Sequence, residues 1–192
     1  MAYLFCIARK SAAFIAHSAY ESAVVFAVDA KREQGSRAGA GDAQGEPARA
    51  GKNAQKTRDF MICARIESLI LERGMEDALT RAFAFTEAGA DAIMIHSRKK
   101  DPAEIFAFVE AFRAKDPVTP IVVVPTSFNE VTEEEFKRRG VNIVIYANQL
   151  TRTGFPAMQH AAELILQNHR AKECDDICMP FKDIIRLIPE DI

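Results

Sequence analysis

The amino-acid sequence predicts an α/β protein built around a parallel sheet. Four short apolar runs, each typical of a buried strand, alternate with segments of helical periodicity between residues 59 and 170. Each strand–helix unit spans about 28 residues, and strands that are joined by helices pair in parallel. Neither a G-x-G-x-x-G motif nor a P-loop occurs, which disfavours a nucleotide site. Two architectures therefore fit: a doubly wound sheet, or part of a (β/α)8 TIM barrel.

The first 58 residues differ from the rest of the chain. Residues 1–30 form an N-terminal segment of uncertain structure, whose apolar pattern fits one helix and then a short strand at Ala23–Val28. Residues 31–58 contain no Val, Ile, Leu, Met or aromatic residue, and they carry seven basic but three acidic side chains. Such a segment cannot bury enough apolar surface to offset the entropy of ordering it. We therefore expect a flexible linker at 31–58 and one folded part at 59–192.

The strands and helices of the folded part follow from apolar spacing and from signals at helix ends. Asp101 with Glu104, and Thr132 with Glu135, have the spacing of capping boxes. Gly89 suits the position just after a helix, where a left-handed backbone is common. The predicted strands are Phe60–Ile66, Ala92–His96, Ile121–Val124 and Val141–Tyr146. The predicted helices are Met75–Ala88, one that begins at Asp101, one from Thr132 that stops at Gly140, Thr153–His169 and a short piece at Phe181–Leu187.

Composition and charge exclude several classes of function. The formal net charge is -2, so no overall basic field attracts nucleic acid or an anionic membrane surface. No run of about 18 apolar residues is present that would span a bilayer. Four cysteines do not make a disulfide framework, which predicts a reducing compartment. We expect a cytoplasmic protein, with mitochondrial import as the alternative that the Ala- and Ser-rich start leaves open.

Polar residues follow all four predicted strands. In parallel α/β folds the reactive groups gather at such carboxyl ends. Arg65 lies inside an apolar strand, where an unpaired guanidinium is very costly, so it must meet an acid or bind an anion. An ion pair, with Glu67 or with a neighbouring strand, and an anion site both remain open. The polar residues at the strand ends are Arg65 and Glu67, His96 and Ser97, Thr126 and Ser127, and Asn148 and Gln149.

Arg65 and His96 together would suit a phosphoryl or carboxylate group. Arginine offers a fixed fork of donors, and histidine adds one further donor or proton. For His96 the alternative is a hydrogen-bonded histidine in the core. Thr126 and Asn148 could supply neutral hydrogen bonds, although ordinary loop capping explains them equally well.

Five stretches carry a resemblance to a known family. They are DFMICARIESLI (Asp59–Ile70), GADAIMIHSRKKDPAEI (Gly89–Ile105), PIVVVPT (Pro120–Thr126), GVNIVIYAN (Gly140–Asn148) and PFKDIIRL (Pro180–Leu187). In this order and spacing they resemble the phosphoenolpyruvate mutase family of the isocitrate lyase/phosphoenolpyruvate mutase superfamily. The resemblance implies a (β/α)8 barrel, of which these stretches would form the four C-terminal β/α units.

The resemblance also implies an activity. Enzymes of this family interconvert phosphoenolpyruvate and phosphonopyruvate in phosphonate biosynthesis, with Mg2+ at the enolate or carboxylate oxygens. Arg65 would match the arginine that binds the phospho group, and His96 the histidine that holds this group in transit. Ser97, Thr126 and Asn148 would be further substrate-binding residues. The family is usually a tetramer whose last barrel helix packs on a neighbour, which implies a homo-oligomer interface at Thr153–His169, with no nucleic-acid or membrane partner.

The departures from the family pattern concern the first half of the barrel. The D-A-D metal motif and a lid with a K-T-N sequence are not intact, so no metal ligands can be assigned. A closed barrel needs about 225 residues at this unit length. We therefore expect a truncated barrel of doubtful activity. Three hypotheses stand: a phosphoenolpyruvate mutase-like isomerase, the related phosphonopyruvate hydrolase, in which water accepts the phosphoryl group, and a non-catalytic remnant or assembly partner.

Overall fold

A computed structural model describes residues 24–28, 45–56 and 60–187, and its centre is a five-stranded parallel sheet. The strands are β1 (Val24–Val28), β2 (Met61–Ile66), β3 (Ala92–Ile95), β4 (Ile121–Val123) and β5 (Ile143–Val144). Each strand pairs with the next one along the chain, in the order β1-β2-β3-β4-β5. In the register of the sheet, Arg65 lies between Val28 of β1 and Met94 of β3.

Helices connect the strands, as the alternating pattern predicts. They are α1 (Glu46–Ala54), α2 (Gly74–Glu87), α3 (Ala103–Arg113) and α4 (Glu133–Arg138). The predicted α/β class with a parallel sheet is therefore confirmed. A sheet whose strands follow chain order without reversal is the arrangement of a β/α barrel, whereas a doubly wound sheet reverses its order at a switch point.

The alternation of side chains along each strand produces two apolar layers. One face of the sheet carries the main core, in which large side chains of the strands pack on phenylalanines of the helices. Its largest buried members are Phe85, Phe108, Phe112, Phe128, Phe136, Ile66, Ile93, Ile95, Ile105 and Ile121. The opposite face carries a smaller cluster of Cys63, Ala92, Met94, Val122 and Ile145, which we call the inner face.

Helix α1 contradicts the linker predicted at 31–58, because residues 46–54 of that segment are helical. The composition rule fails here since α1 packs through small residues instead of large apolar ones. Ala48 is fully buried, and a Cβ on Gly51 would come within 2.7 Å of the Ile62 side chain. The other residues of 31–58, and most of the predicted segment 1–30, lie outside the described residues.

An ion pair fixes α1 at the start of the sheet. Lys52 Nζ lies 2.8 and 3.0 Å from the two carboxylate oxygens of Asp91, and the same carboxylate accepts the Ile62 backbone N–H at 2.8 Å. Asp91, the residue directly before β3, thus connects α1 with β2.

The predicted helix ends are mostly confirmed. Thr132 caps α4, since its Oγ1 accepts the backbone N–H of Glu135. Gly89 and Gly140 both follow helices with positive φ values of 92° and 94°. The capping box predicted at Asp101 and Glu104 is not formed: the Asp101 carboxylate accepts the Ala103 N–H instead of the Glu104 N–H, and Glu104 contacts other residues.

The chain divides into two compact units after Ala147, whereas the sequence predicted one folded part over 59–192. The second unit, residues 148–192, contains α5 (Gln149–Asn168), a 3-10 turn (Lys172–Cys174) and α6 (Phe181–Ile184). Helix α5 covers the predicted helix Thr153–His169 but begins four residues earlier, and none of its residues is buried. Within the described ranges, no helix combines the length and the apolar character that crossing a membrane requires.

Candidate functional site

Three ionisable side chains meet where β2 and β3 end. Arg65 is the fifth residue of β2 and shares the inner face with Cys63, two residues earlier. Glu67 follows two residues later, directly after the strand. His96 comes directly after β3, two residues beyond inner-face Met94. Because β2 and β3 are parallel neighbours, the sequence positions alone bring these three side chains to the carboxyl edge of the sheet.

The three side chains form a connected cluster. The Arg65 Nε–H donates to Glu67 Oε1 in a short ion pair, and Arg65 Nη2 lies 2.6 Å from His96 Nδ1. Both carboxylate oxygens of Glu67 lie 3.4 Å from the same His96 nitrogen. The side chain of Glu67 is 9% exposed, whereas those of Arg65 and His96 are 31% and 26% exposed. The partly exposed side chains of Arg65 and His96 therefore lie against the buried carboxylate of Glu67.

The electrostatics of the cluster favour a neutral His96. Burial lowers the pKa of His96 below its ordinary value and the charge of Arg65 lowers it further, while Glu67 opposes both. Arginine can only donate, so the contact from Arg65 makes Nδ1 the acceptor and leaves the ring proton on Nε2. The cluster thus offers guanidinium and imidazole N–H donors side by side, which is the chemistry of an anion site.

A comparison with known families identifies the family of the chain. A family model described as "Phosphoenolpyruvate phosphomutase" matches residues 15–166, most of the chain. The chain belongs to the phosphoenolpyruvate phosphomutase family. The predicted resemblance is therefore confirmed.

Individual members of the family show how far the likeness extends. A phosphoenolpyruvate phosphomutase of Tetrahymena pyriformis is 38% identical over 140 residues, which are 73% of this chain and 46% of that protein. A phosphonopyruvate hydrolase of Variovorax sp. is 40% identical over 135 residues, 70% of this chain and 46% of that protein. The chain thus spans about half the length of the curated relatives that it matches. A crystal structure of phosphonopyruvate hydrolase in complex with oxalate and Mg2+ has a TM-score of 0.72 and 34% identity, over 84% of this chain and 57% of that one.

Ser97, which was predicted to bind substrate, makes hydrogen bonds with its own loop and the start of α3 in this structure. Its hydroxyl donates to Glu104 Oε1 and accepts the Lys99 backbone N–H at 3.0 Å, and Ser97 is almost fully buried. The Lys99 ammonium pairs with the other oxygen of Glu104 at 2.5 Å. In this structure Ser97 fixes the β3–α3 loop of the phosphomutase-family fold and does not contact Arg65 or His96.

Two further predicted residues, Thr126 and Asn148, come after β4 and β5 along the chain. Thr126 is half-buried two residues after Val124, whose carbonyl accepts its backbone N–H at 2.8 Å. Asn148 is the first residue of the second unit and precedes α5, but its side chain makes no capping hydrogen bond to that helix. Its Oδ1 is buried and has no hydrogen-bond partner in the part of the chain that the structure describes. Their predicted substrate contacts remain predictions.

The loop after Glu67 is itself held in place. Ser68 Oγ donates to Asp77 at 2.6 Å, and Arg81 Nε donates to the same carboxylate oxygen at 2.8 Å. Burial would raise the pKa of Asp77, but the hydrogen bonds from Arg81 and Ser68 outweigh burial and lower it. Glu67 therefore leads into a loop that is anchored on α2.

The residues that the structure describes do not fit the magnesium ion of the family. No group of three His, Cys, Asp or Glu side chains among them could hold a metal. Glu67 is the acid of the cluster, and its carboxylate faces a guanidinium, whose charge repels a cation. Asp29 and Ala30 match the first two residues of the family's D-A-D motif, but Lys31 stands in place of its second acid, and all three residues lie outside the described ranges.

Glu67 is the member of the cluster that the sequence prediction did not assign to the site. It was named among the polar residues at the strand ends and as a possible ion-pair partner of Arg65. The signal was present, because an acid two residues after an arginine at the end of a buried strand falls on the same face of the sheet.

Proposed function

We propose that this chain provides the phospho-group site of a phosphoenolpyruvate mutase-type isomerase, built on the four C-terminal units of a (β/α)8 barrel. The observation that supports it best is the contact between Arg65 and His96 on the inner face at the carboxyl edge of the sheet. This edge carries the active sites of β/α barrels.

The proposed role of the cluster follows from its donors. In the forward direction the phosphorus–oxygen bond of phosphoenolpyruvate breaks, and the phosphoryl group then forms a bond to C3 of the pyruvate enolate. The group in transit is loosely bonded and carries negative charge on its outer oxygens. Donors of Arg65 and the Nε2–H of His96 would hold those oxygens, and they stabilise the transition state because they are fixed before the reaction.

Phosphorus NMR tests this proposal with the purified chain, phosphonopyruvate and Mg2+. We expect the phosphonate resonance to be replaced only slowly by that of phosphoenolpyruvate, because the described residues include no group that could hold the metal. Arg65→Ala should lower kcat/KM by about 100-fold or more, because a hydrogen bond to a charged group contributes about 1.5–3 kcal/mol and two are lost. Arg138→Ala, which removes an exposed arginine of α4, is the matched control and should leave kcat/KM unchanged. Unchanged turnover in Arg65→Ala would remove the phospho-binding role.

A second candidate function is the hydrolysis of phosphonopyruvate. The observation in its favour is the Variovorax relative, a phosphonopyruvate hydrolase that is 40% identical. In this reaction the phosphoryl group passes to water, so the products are pyruvate and inorganic phosphate. The same NMR experiment separates the two reactions, since it shows either phosphoenolpyruvate or phosphate. Binding of phosphonopyruvate without either product would select a non-catalytic remnant or assembly partner.

We also propose a second copy of the chain as a partner of α5. This helix has no buried residue and exposes large apolar side chains, which are Leu150, Phe155, Met158, Ile165 and Leu166. Light scattering after size exclusion should give an oligomer that Phe155→Glu with Leu166→Glu converts to a smaller species.

The free thiols of Cys63, Cys174 and Cys178 fit the cytoplasmic location that we propose from the composition.

A further inference from the structure

We infer, on the basis of the proposed function, that Glu67 is a positioning residue that fixes Arg65, and through Arg65 also His96, in one orientation toward the phospho group. Its side chain is the most buried of the three, so it lies on the protein side of the cluster, away from solvent. Glu67 need not touch the substrate for this role.

The contacts of Arg65 show what is fixed and what is left available. Of the five guanidinium N–H groups, the one on Nε donates to Glu67 and one on Nη2 reaches His96. The remaining three, on Nη1 and Nη2, have no hydrogen-bond partner among the described residues. They belong to the edge of the guanidinium that forms two parallel hydrogen bonds with phosphate or carboxylate oxygens. Glu67 thus accepts the Nε–H of Arg65, and N–H groups on Nη1 and Nη2 remain available to an anion.

The contacts of His96 point the same way. Both oxygens of the Glu67 carboxylate lie 3.4 Å from Nδ1, the nitrogen that also faces Arg65. The Nδ1 side of the ring is therefore directed at the buried pair, and Nε2–H is the donor that a ligand can use. The charged groups that act on the ring are Arg65 and Glu67 at the end of β2 and Arg98 after β3.

Two substitutions separate positioning from charge. Glu67→Ala removes both the acceptor and the charge, so Arg65 loses the acceptor that fixes it and no longer holds His96 in place. We expect kcat/KM for phosphonopyruvate to fall about 100-fold, the typical loss when reacting groups are displaced by about 1 Å. Glu67→Gln keeps an oxygen that accepts the Nε–H and removes a negative charge that repels the anion. Its KM should therefore stay at or below that of the unchanged chain.

A spectroscopic readout distinguishes this role from a merely structural one. Glu67 raises the pKa of His96, so Glu67→Gln should lower the pKa that an NMR titration of the imidazole ring reports. Glu135 provides the matched control, because its carboxylate likewise accepts from arginine: from Arg138 of α4 and from Arg139 directly after that helix. Glu135→Ala and Glu135→Gln should change neither KM nor the titration of His96.

The full chain is assayed for binding of phosphonopyruvate by calorimetry and for turnover by phosphorus NMR, and circular dichroism checks the fold of each variant. Should Glu67→Ala fail to fold, Glu67→Asp takes its place, since its shorter side chain withdraws the carboxylate from Arg65. A kcat/KM loss in Glu67→Gln as large as that in Glu67→Ala, or no loss in either, overturns the positioning role while the proposed function stands. If the unchanged chain neither binds nor converts phosphonopyruvate, the proposed function fails, and the role of Glu67 fails with it.

Discussion

Replacing Arg113 with alanine should strongly destabilise the protein, although this residue lies far along the chain from Arg65. Arg113 is the last residue of α3, and its guanidinium binds four acceptors. Its Nε donates to the Gly140 carbonyl at 2.9 Å, and its Nη1 donates to the carbonyls of Asp116 and Thr119 at 2.9 and 2.8 Å. Its Nη2 donates to Asn142 Oδ1 at 2.6 Å. One side chain therefore joins the end of α3, the loop before β4 and the turn before β5.

The expected loss follows from these four hydrogen bonds. Each contributes about 1 kcal/mol net, and the substitution leaves partly buried carbonyls without their donor, so the free energy of unfolding should fall by about 3–4 kcal/mol. Arg113→Lys keeps the charge but not the planar fork, and it should lose more than half of that amount. Arg138→Ala is the control: its side chain is 72% exposed, and an exposed ion pair contributes about 0–1 kcal/mol.

Urea denaturation followed by circular dichroism measures these losses. The midpoint should fall while the dependence of the unfolding free energy on urea stays the same, because the surface exposed on unfolding hardly changes. A loss for Arg113→Ala no larger than that for Arg138→Ala would refute the reasoning that this guanidinium holds the three segments together.

Two further predictions concern single titratable groups. The pKa of His96 is lowered in the folded chain, mainly by burial, so the unfolded chain binds the proton more tightly. Its contribution to stability is therefore complete above the unfolded pKa of about 6.5 and is lost as the pH falls below it. The chain should lose more stability than His96→Gln between pH 7 and pH 5, and equal losses in urea melts would contradict this. Burial raises the pKa of Cys63 to about 12, so this thiol should react with a thiol reagent at pH 8 only when the chain unfolds. The exposed Cys178 should be labelled quickly under the same conditions. Mass spectrometry of the labelled peptides measures both rates.

Apolar runs predicted the sheet well because buried parallel strands must be apolar on both faces. Phe60–Ile66 and Ala92–His96 lie within one residue of β2 and β3 at either end. Val141–Tyr146 was predicted too long, since only residues 143 and 144 pair with β4. Strand pairing depends on the neighbouring strand as well as on the apolar run, and the sequence of one strand does not record it.

Helix α1 shows where composition misleads. Its buried surface consists of Ala48 and of close approaches at glycines, including Gly51 against Ile62. A count of large apolar residues registers none of this. In helix α5 the apolar periodicity predicted the helix correctly. It did not predict that none of the residues of this helix is buried within the chain.

The positions of the strand ends predicted part of the candidate site. Arg65 and His96 were expected at one edge, and the structure brings them into contact. Glu104 was expected to cap its own helix, yet it accepts from Ser97 and Lys99 instead. Which of several acceptors a side chain chooses depends on tertiary neighbours, so sequence spacing alone could not settle it.

The anchoring of Arg65 by neighbours on two strands links folding to ligand affinity. An arginine side chain has about 2 kcal/mol of rotamer entropy, and contacts with Glu67 and His96 remove part of it when the sheet forms. That ordering cost is then already met before a ligand arrives. A substitution that loosens the pairing of β2 with β3 should consequently weaken anion binding even where it touches none of the three side chains. The pairing of these two strands is in this sense part of the proposed binding site.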